Sequence, residues 1–437
     1  MIQKTTIFAL SSGAGRAGIA VVRVSGPSAA SVFTSFGLNV PLARRAVARR
    51  LSLPSGDIID EAMLLWLPGP GSATGEDMAE LHLHGSPAIV SRVLRHLGNV
   101  GCVMAEPGEF TRRAFDNERM DLVQVEGLAD VLAADTESQR RLAMRQFLGE
   151  ASSTYERWRG DVMQALALVE AAIDFSDEGD VAEKAFVKAS AVMGQLISEF
   201  ERALAGAEHV AAIRRGLRVV LAGPPNAGKS SLLNWLAGRD AAIVSPIAGT
   251  TRDVVEAHVV LEGVPLLIAD TAGLRETADD EIEREGMQRS LRAVEAADIL
   301  VWIESADQMQ PTVIARVPDL LVVNKIDLAP ALPRGRKIWP VSVRTGQGLG
   351  AVKSALEELI RHRNQFAENA VVVRERHHVA VEAALTLLRS AASSRSLGLE
   401  FVAEDMRKAA KALAGVTGRI DVEDLLGKIF QDFCIGK

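Results

Sequence analysis

The segment GPPNAGKS, Gly223 to Ser230, follows the apolar run LRVVLA and opens KSSLLNWLAG. It is a full GxxxxGK[ST] pattern with a strand signature before it and a helix signature behind it, the context that gives the pattern chemical meaning. Its glycines let backbone amides close on phosphate oxygens, Lys229 reaches the β and γ oxygens, and the Ser230 hydroxyl ligates magnesium. Outward from this loop, strands alternate with helices: LRVVLAG, VPLLIAD, ADILVWIE, DLLVVNK and KIWPVSV. That alternation predicts a parallel sheet with helices on both faces over residues 215–373.

Four further elements follow in the order a guanine-nucleotide switch requires. DTAG (Asp270 to Gly273) ends strand VPLLIA, where the aspartate can hold the metal's water shell and the glycine amide can sense the γ-phosphate. NKID (Asn324 to Asp327) ends strand DLLVV. A carboxylate at Asp327 accepts both N1–H and N2–H of guanine, a donor pair that adenine lacks. SVR (Ser342 to Arg344) ends KIWPV and offers a backbone amide to guanine O6. SPIAGTTRD (Ser245 to Asp253) is a loop with two threonines able to complete the magnesium shell. Each element alone reads equally well as a loop; together, in order and at strand ends, they predict GTP. The expected nucleotide contacts are Asn226, Ala227, Gly228, Lys229, Ser230 and Ser231; Ser245, Pro246, Ile247, Ala248, Gly249, Thr250 and Thr251; Asp270, Thr271, Ala272 and Gly273; Asn324, Lys325 and Asp327; and Ser342, Val343 and Arg344.

Where Ras-like enzymes place a water-orienting glutamine after DxxG, this chain has Leu274. Two substitutes are open. Asn226 can offer an oxygen to a monovalent cation bridging the phosphates, and the acidic stretch ETADDEIEREG (276–286) can supply a water-orienting carboxylate.

At 437 residues, 48% apolar and 24% charged, the chain predicts several globular domains. Its net charge of −7 argues against a broad basic surface for nucleic acid. Two cysteines, Cys102 and Cys434, cannot form a disulfide framework, and no run approaches the roughly 18 apolar residues of a spanning helix. A cytoplasmic protein with no membrane span is expected. Residues 1–117 read as a small α+β domain with strands TIFAL, GIAVVRV, AMLLWL and AELHLH. Residues 118–214 and 374–437 are helical in texture, with Leu122, Val125, Leu128 and Leu132 at helical spacing. The simplest organisation is a sheet domain (215–373) inserted into a helical domain. ARRAVARR (43–50) reads as a solvated arginine-rich loop.

With PNAGKSSLLN, AGTTRD, DTAGLRE and NKID in one domain, PGEFTRRAF near the N-terminus and FCIGK at the end, the sequence resembles the bacterial MnmE (TrmE) family of tRNA modification GTPases, within the TrmE-Era-EngA-like P-loop group. The resemblance covers essentially the whole chain. It implies a multidomain α+β fold: an N-terminal α+β folate-binding and dimerisation domain, a central all-α helical domain, and an inserted Ras-like α/β GTPase domain. It implies a homodimer acting with an MnmG-type FAD-binding partner, which would carry most of the tRNA contact. Together they would modify C5 of wobble uridine using a 5-formyl- or 5,10-methylene-tetrahydrofolate one-carbon unit. By the same resemblance, Asn226, Ser245, Ile247 and Thr250 hold K⁺, Ser230 and Thr251 hold Mg²⁺, and Glu283 orients water, with Glu281 as second candidate because one extra residue precedes it. Folate contacts fall on Arg23, Glu80, Arg119 and Lys437; arginine replaces an expected lysine at Arg119, which alters the geometry. Competing readings are a ribosome-assembly GTPase, which would carry an RNA-binding appendage that neither flank resembles, and a folate enzyme with a GTPase passenger.

Several segments carry a second reading. GAGRAG (Gly13 to Gly18) spells GxGxxG, yet a strand follows it, so a glycine-rich hairpin turn is expected. Glu80, His82 and His84 alternate onto one strand face nearly 7 Å apart with no fourth ligand, which favours a polar face over a metal site. His377 and His378 are expected at an exposed helix start, and Cys102 as a buried small hydrophobe. The terminal Cys434 fails as a prenylation site, since Gly436 and Lys437 break the pattern. DVEDLLGKIFQDF reads as an amphipathic helix capped by Asp421 that buries Leu425, Ile429 and Phe433. Residues alone make Cys434 a buried helix-end thiol; the resemblance implicates it in the modification chemistry, as nucleophile or as structural plug.

Overall fold

The computed structural model describes residues 5–177, 179–240, 255–270, 288, 291–308, 316–328, 337–367, 370–420, 426–427, 429–430, 433 and 436. The chain divides into two compact units: Met1–Leu132 with Gln146–Gly160 and Ala410–Lys437, and Ala133–Arg145 with Asp161–Ala409.

The first unit is built on β1 (Ile7–Leu10), β2 (Ala17–Ser25), β3 (Val47–Ser52), β4 (Ile58–Leu67), β5 (Met78–Gly85) and β6 (Val103–Met104), in the order β3-β4-β5-β2-β1-β6. Because successive side chains point to opposite faces, Val22, Val24, Ala79, Leu81 and Leu83 enter one core. There α1 (Ser31–Ser35) contributes Phe33 and α2 (Pro87–Asn99) contributes Val93 and Leu97. On the other face Ile7 and Ala9 pack with Phe110 of α3 (Glu109–Asp116). Arg113 fastens α3 through bonds to the Thr5 carbonyl (2.8 Å), Glu76 (2.9 Å) and Glu109 (2.8 Å). Of GAGRAG, Gly13 to Arg16 lie in the connection of the antiparallel β1–β2 hairpin and Ala17 and Gly18 open β2; across the hairpin Ile7 faces Ser25 and Leu10 faces Val22. ARRAVARR, expected as a loop, is half strand: Val47 to Arg50 pair with Leu64 to Glu61 at the sheet edge. Leu51 of that strand is buried while Arg49 and Arg50 are exposed, and charge on an edge strand discourages pairing with another chain.

Within the same unit α4 (Leu122–Ala133) buries Leu122 and Val125, whereas Leu132 of the expected stripe is 46% exposed. The cover comes from Leu426, Phe430 and Phe433 and extends as far as Leu128 and Ala129. Of the expected C-terminal stripe, Phe433 faces this core and Ile429 is partly buried against it; Leu426 and Phe430 are buried there as well, and Leu425 and Asp421 lie outside the described residues. Phe430 is seated tightly on Gly108, where a Cβ would fall 2.8 Å from the Phe430 carbonyl oxygen.

Helices α5 (Glu137–Phe147), α6 (Glu150–Asp174) and α7 (Gly179–Arg215) lead to the second sheet. It consists of β7 (Leu217–Ala222), β8 (Val255–Leu261), β9 (Val264–Asp270), β10 (Ile299–Ser305), β11 (Leu320–Asn324) and β12 (Trp339–Pro340), in the order β12-β11-β10-β7-β9-β8. Five strands are parallel, as their alternation with helices predicts. β8 departs from that pattern and runs antiparallel to β9. The two-residue turn Glu262-Gly263, both at positive φ, is too short for a parallel crossover. Val219 and Leu221 pack on one face with α8 (Lys229–Asp240) and α9 (Leu349–Ala367); Val220 and Ala222 pack on the other with Leu300 and Trp302. Helices α10 (Glu375–Ser393) and α11 (Leu399–Val416) complete the described elements. His377, expected on an exposed helix start, is fully buried, because it lies four residues before Val381 on the buried stripe of α10.

Phe430→Ala is expected to destabilise the first unit by about 3–5 kcal/mol, with Phe430→Leu recovering much of the loss. An earlier urea transition in the full chain, followed through the first unit's protease resistance, measures it.

Candidate functional site

The parallel strands deliver their C-terminal ends and following loops to one edge of the second sheet, where open α/β folds bind ligands. After β7 the chain turns at Gly223 (φ +148°), where a Cβ would fall 2.1 Å from the Ile303 carbonyl oxygen. Gly228 (φ +96°) is equally constrained: a Cβ there would lie 2.1 Å from Asn324 Nδ2. Between them Asn226 also occupies the left-handed region (φ 61°), which asparagine tolerates better than most residues. Lys229 is buried, and its Nζ donates to the carbonyls of Gly223 (3.1 Å) and Pro224 (2.9 Å), which holds the ammonium against the loop it serves.

Asn324, assigned from sequence to base reading, also acts as a clasp. Its Nδ2 donates to the Ala227 carbonyl (2.9 Å) and its Oδ1 accepts the Val343 N–H (3.1 Å), joining the phosphate loop to the loop after β12. Ser342 is fully buried and shapes that second loop: its amide donates to the Gln347 carbonyl (2.9 Å) and its hydroxyl accepts the Thr345 N–H (3.2 Å). Asp327 lies exposed in the turn Ile326–Leu328. Asn226, Gly228, Lys229, Ser230, Ser231, Asn324, Lys325, Asp327, Ser342, Val343 and Arg344 all line one cleft of about 540 Å³, a volume suited to a small-molecule ligand. Asp270 ends β9, which pairs with β7. Residues 245–251, Thr271, Ala272, Gly273, Glu281 and Glu283 lie outside the described residues.

One contributor escaped the sequence reading. Asp307 Oδ2 stands 3.6 Å from Lys325 Nζ, and the Ser305 hydroxyl donates to Oδ1 of the same carboxylate. The Ser305 hydrogen bond, reinforced by Lys325, holds the Asp307 carboxyl below its ordinary range, so it stays an anion beside the lysine of NKID. No motif marks Asp307, since only the pairing of β10 with β11 brings it there.

A second cluster occupies the α3-bearing face of the first sheet. Arg23 and Glu80 are direct cross-strand partners, joined by Nε and Nη2 to Oε1 at 3.1 and 2.9 Å. His82 Nε2 lies 3.1 Å from Oε2. Burial pushes the Glu80 carboxyl up, but the His82 hydrogen bond and the Arg23 guanidinium outweigh it and hold the group below its ordinary value. Arg23 also lies over the Phe110 ring, 5.9 Å from its centroid. His84 pairs separately, through Nδ1 to Asp60 (2.7 Å). Arg119 is exposed and packs against Gly75, and among the described residues it forms no ion pair with Glu80. The chain end returns to this unit: a Cβ at Gly436 (φ +96°) would fall 2.2 Å from the Leu10 carbonyl oxygen. Cys434 and Lys437 lie outside the described residues. Cys102 is buried in the sheet core, and burial pushes its thiol pKa up.

Gly228→Ala is expected to abolish nucleotide binding, because both the backbone conformation and Asn324 exclude a methyl group. Asp307→Ala is expected to weaken GTP and GDP by the same factor, about three- to tenfold, since it acts through Lys325 on the base side of the cleft. Titration with fluorescent GTP and GDP analogues tests both.

Residues 6–119 match the family model described as GTP-binding protein TrmE N-terminus, and residues 122–434 match the MnmE helical domain. The chain is 48% identical over 440 residues to the tRNA modification GTPase MnmE of Methylobacterium sp. (strain 4-46), with 99% of each chain covered. It is 45% identical over 447 residues to that of Rhodopseudomonas palustris (strain ATCC BAA-98 / CGA009) and 44% identical over 439 residues to that of Bradyrhizobium sp. (strain ORS 278), again covering 99% of each chain. Domain models that together span nearly the whole chain, and relatives matched end to end, show that this chain belongs to the MnmE (TrmE) family of tRNA modification GTPases.

Proposed function

We propose that this chain is a GTP hydrolase whose cycle drives modification of C5 of the wobble uridine in certain tRNAs. The observation that carries the reading is the cleft in which Lys229, Ser230, Asn324 and Asp327 converge around a glycine-built loop, in a chain related end to end to tRNA modification GTPases. Asp327 accepts the two guanine donors and excludes adenine; Lys229 and the loop amides take up charge on the β- and γ-phosphates.

The residues present suit two cations. Ser230 lines the cleft at the start of α8 and, with Thr251, would hold Mg²⁺; Asn226, held at positive φ on the cleft wall, would hold K⁺ with Ser245, Ile247 and Thr250. When bound, these ions would supply positive charge to offset the charge developing on the phosphates, in a chain where Leu274 takes the place of the glutamine. Glu283 orients the attacking water. The chain works as a homodimer in the cytoplasm, and no described helix is long and apolar enough to cross a membrane. With GTP in the cleft and the Asn226, Ser245, Ile247 and Thr250 site filled, the G domains would meet and hydrolysis would release them, a bistable motion passed to an FAD-dependent MnmG-type partner that holds most of the tRNA.

On the first sheet, the prepaired Arg23 and Glu80 fit a folate carrying the one-carbon unit, as 5-formyl- or 5,10-methylene-tetrahydrofolate. Arg119 and Lys437 complete the contacts, and Cys434 serves the modification reaction. Gly436, seated on the carbonyl of Leu10, supports bringing the chain end to this site.

Mass spectrometry of wobble uridines in a deletion strain tests the function. Loss of the modification with normal ribosomal subunits is expected; defective subunits with normal tRNA would overturn it in favour of an assembly role. Hydrolysis is expected to run markedly faster in potassium than in sodium, and equal rates would remove the cation from the mechanism. Asp327→Asn is expected to weaken GTP by about tenfold or more and to relax base choice, which competition with xanthosine and inosine nucleotides measures.

A further inference from the structure

Glu80 does not stand alone on its strand face. Its Oε1 receives both Arg23 donors, and its Oε2 is met by His82 Nε2, so the three side chains form one chain of contacts. They are 27%, 14% and 28% exposed for Arg23, Glu80 and His82, half sheltered yet reachable. An ionised carboxylate only accepts hydrogen bonds, so Nε2 carries a proton, and in the neutral tautomer this contact selects, Nδ1 is the ring's acceptor. Among the described residues no donor reaches it, and its cross-strand neighbours, Val21 and Met63, are apolar. His82 thus presents an oriented acceptor next to the Arg23–Glu80 pair, on the face that Phe110 borders.

We propose that His82 is a ligand-reading residue of this site: Glu80 fixes its ring, and Nδ1 accepts an N–H from the pterin ring of the bound folate. The assignment rests on the folate reading given above. A pterin carries ring and exocyclic N–H donors along one edge, and two adjacent acceptors on alternate positions of one strand match such a row better than a single carboxylate already engaged on both oxygens. The pairing also explains why a histidine is tolerated on an open sheet face beside an arginine: the carboxylate between them orders both.

Calorimetric titration of the full-length protein with 5-formyl-tetrahydrofolate tests it, with wild type, His82→Leu, His82→Gln and Glu80→Ala compared. His82→Leu is expected to bind about tenfold more weakly, the loss of one hydrogen bond to the ligand. His82→Gln keeps an N–H for Glu80 and an oxygen acceptor, so it is expected to stay within about threefold of wild type. Equal weakening by both substitutions would reduce His82 to packing and overturn the proposal. So would wild-type affinity in His82→Leu; if Glu80→Ala then loses binding, the folate reading stands and only the role of His82 falls. Absence of binding by the wild-type protein would remove the folate reading and this assignment together. Should His82→Leu fail to match the wild-type melting profile, the His82→Gln affinity decides, since a value more than about tenfold weaker contradicts the assignment.

Discussion

The side chain of Asn324 holds the nucleotide cleft together. It is almost wholly buried, and it donates to the Ala227 carbonyl while accepting from the Val343 amide. A primary amide meets both demands at once, whereas an ionised aspartate of the same shape could accept from Val343 but not donate to Ala227. Its amide nitrogen takes the space a Cβ would need at Gly228, so the glycine and the asparagine require each other. The conformation of the phosphate loop, the placement of Asp327 three residues on, and the course of the loop through Arg344 all follow from that clasp. Lys229, anchored on the carbonyls of its own loop, adds charge to a frame already set.

The first unit shows the same economy by close approach. Gly108, Gly418 and Gly436 each sit where an added Cβ would collide: with Phe430, with Leu122 and Phe115, and with Leu10. These contacts seat the last helical turns in the groove beside α4 and bring the chain end to the edge of the β1–β2 hairpin. The final residues therefore belong structurally to the domain that begins the chain. Arg23 and Glu80, paired across β2 and β5, lie on the face of that same domain which α3 covers in part.

Much of this was legible from local pattern. The phosphate loop, NKID and SVR stand where strand and helix signatures placed them, because each is defined by a few consecutive residues at the end of an apolar run. GAGRAG read correctly as a turn because the strand after it is unmistakable. Errors arose where tertiary contacts decide. ARRAVARR was read from its charge, and pairing with β4 decides for strand over its second half. Leu426 and Phe430 were missed beside the expected Ile429 and Phe433, because their burial depends on the seat at Gly108. His377 is polar by type yet falls on the apolar stripe of α10.

Sequence alone determined which residues are offered to the cleft: the loop expected to hold phosphate, the carboxylate expected to read the base, and the order in which the pieces come. Those properties reside in residue type and short spacing, which the chain carries whether folded or not. Tertiary structure alone decided which groups act in pairs. Asn324 clasps Ala227, Asp307 meets Lys325, and Glu80 joins Arg23 to His82. The first two partners and Arg23 lie 97, 18 and 57 positions away along the chain, and such separations leave no periodicity for a sequence to display. Strand pairing brings them within hydrogen-bond or ion-pair distance, and the short range of those interactions means that nothing short of the folded sheet could have specified them.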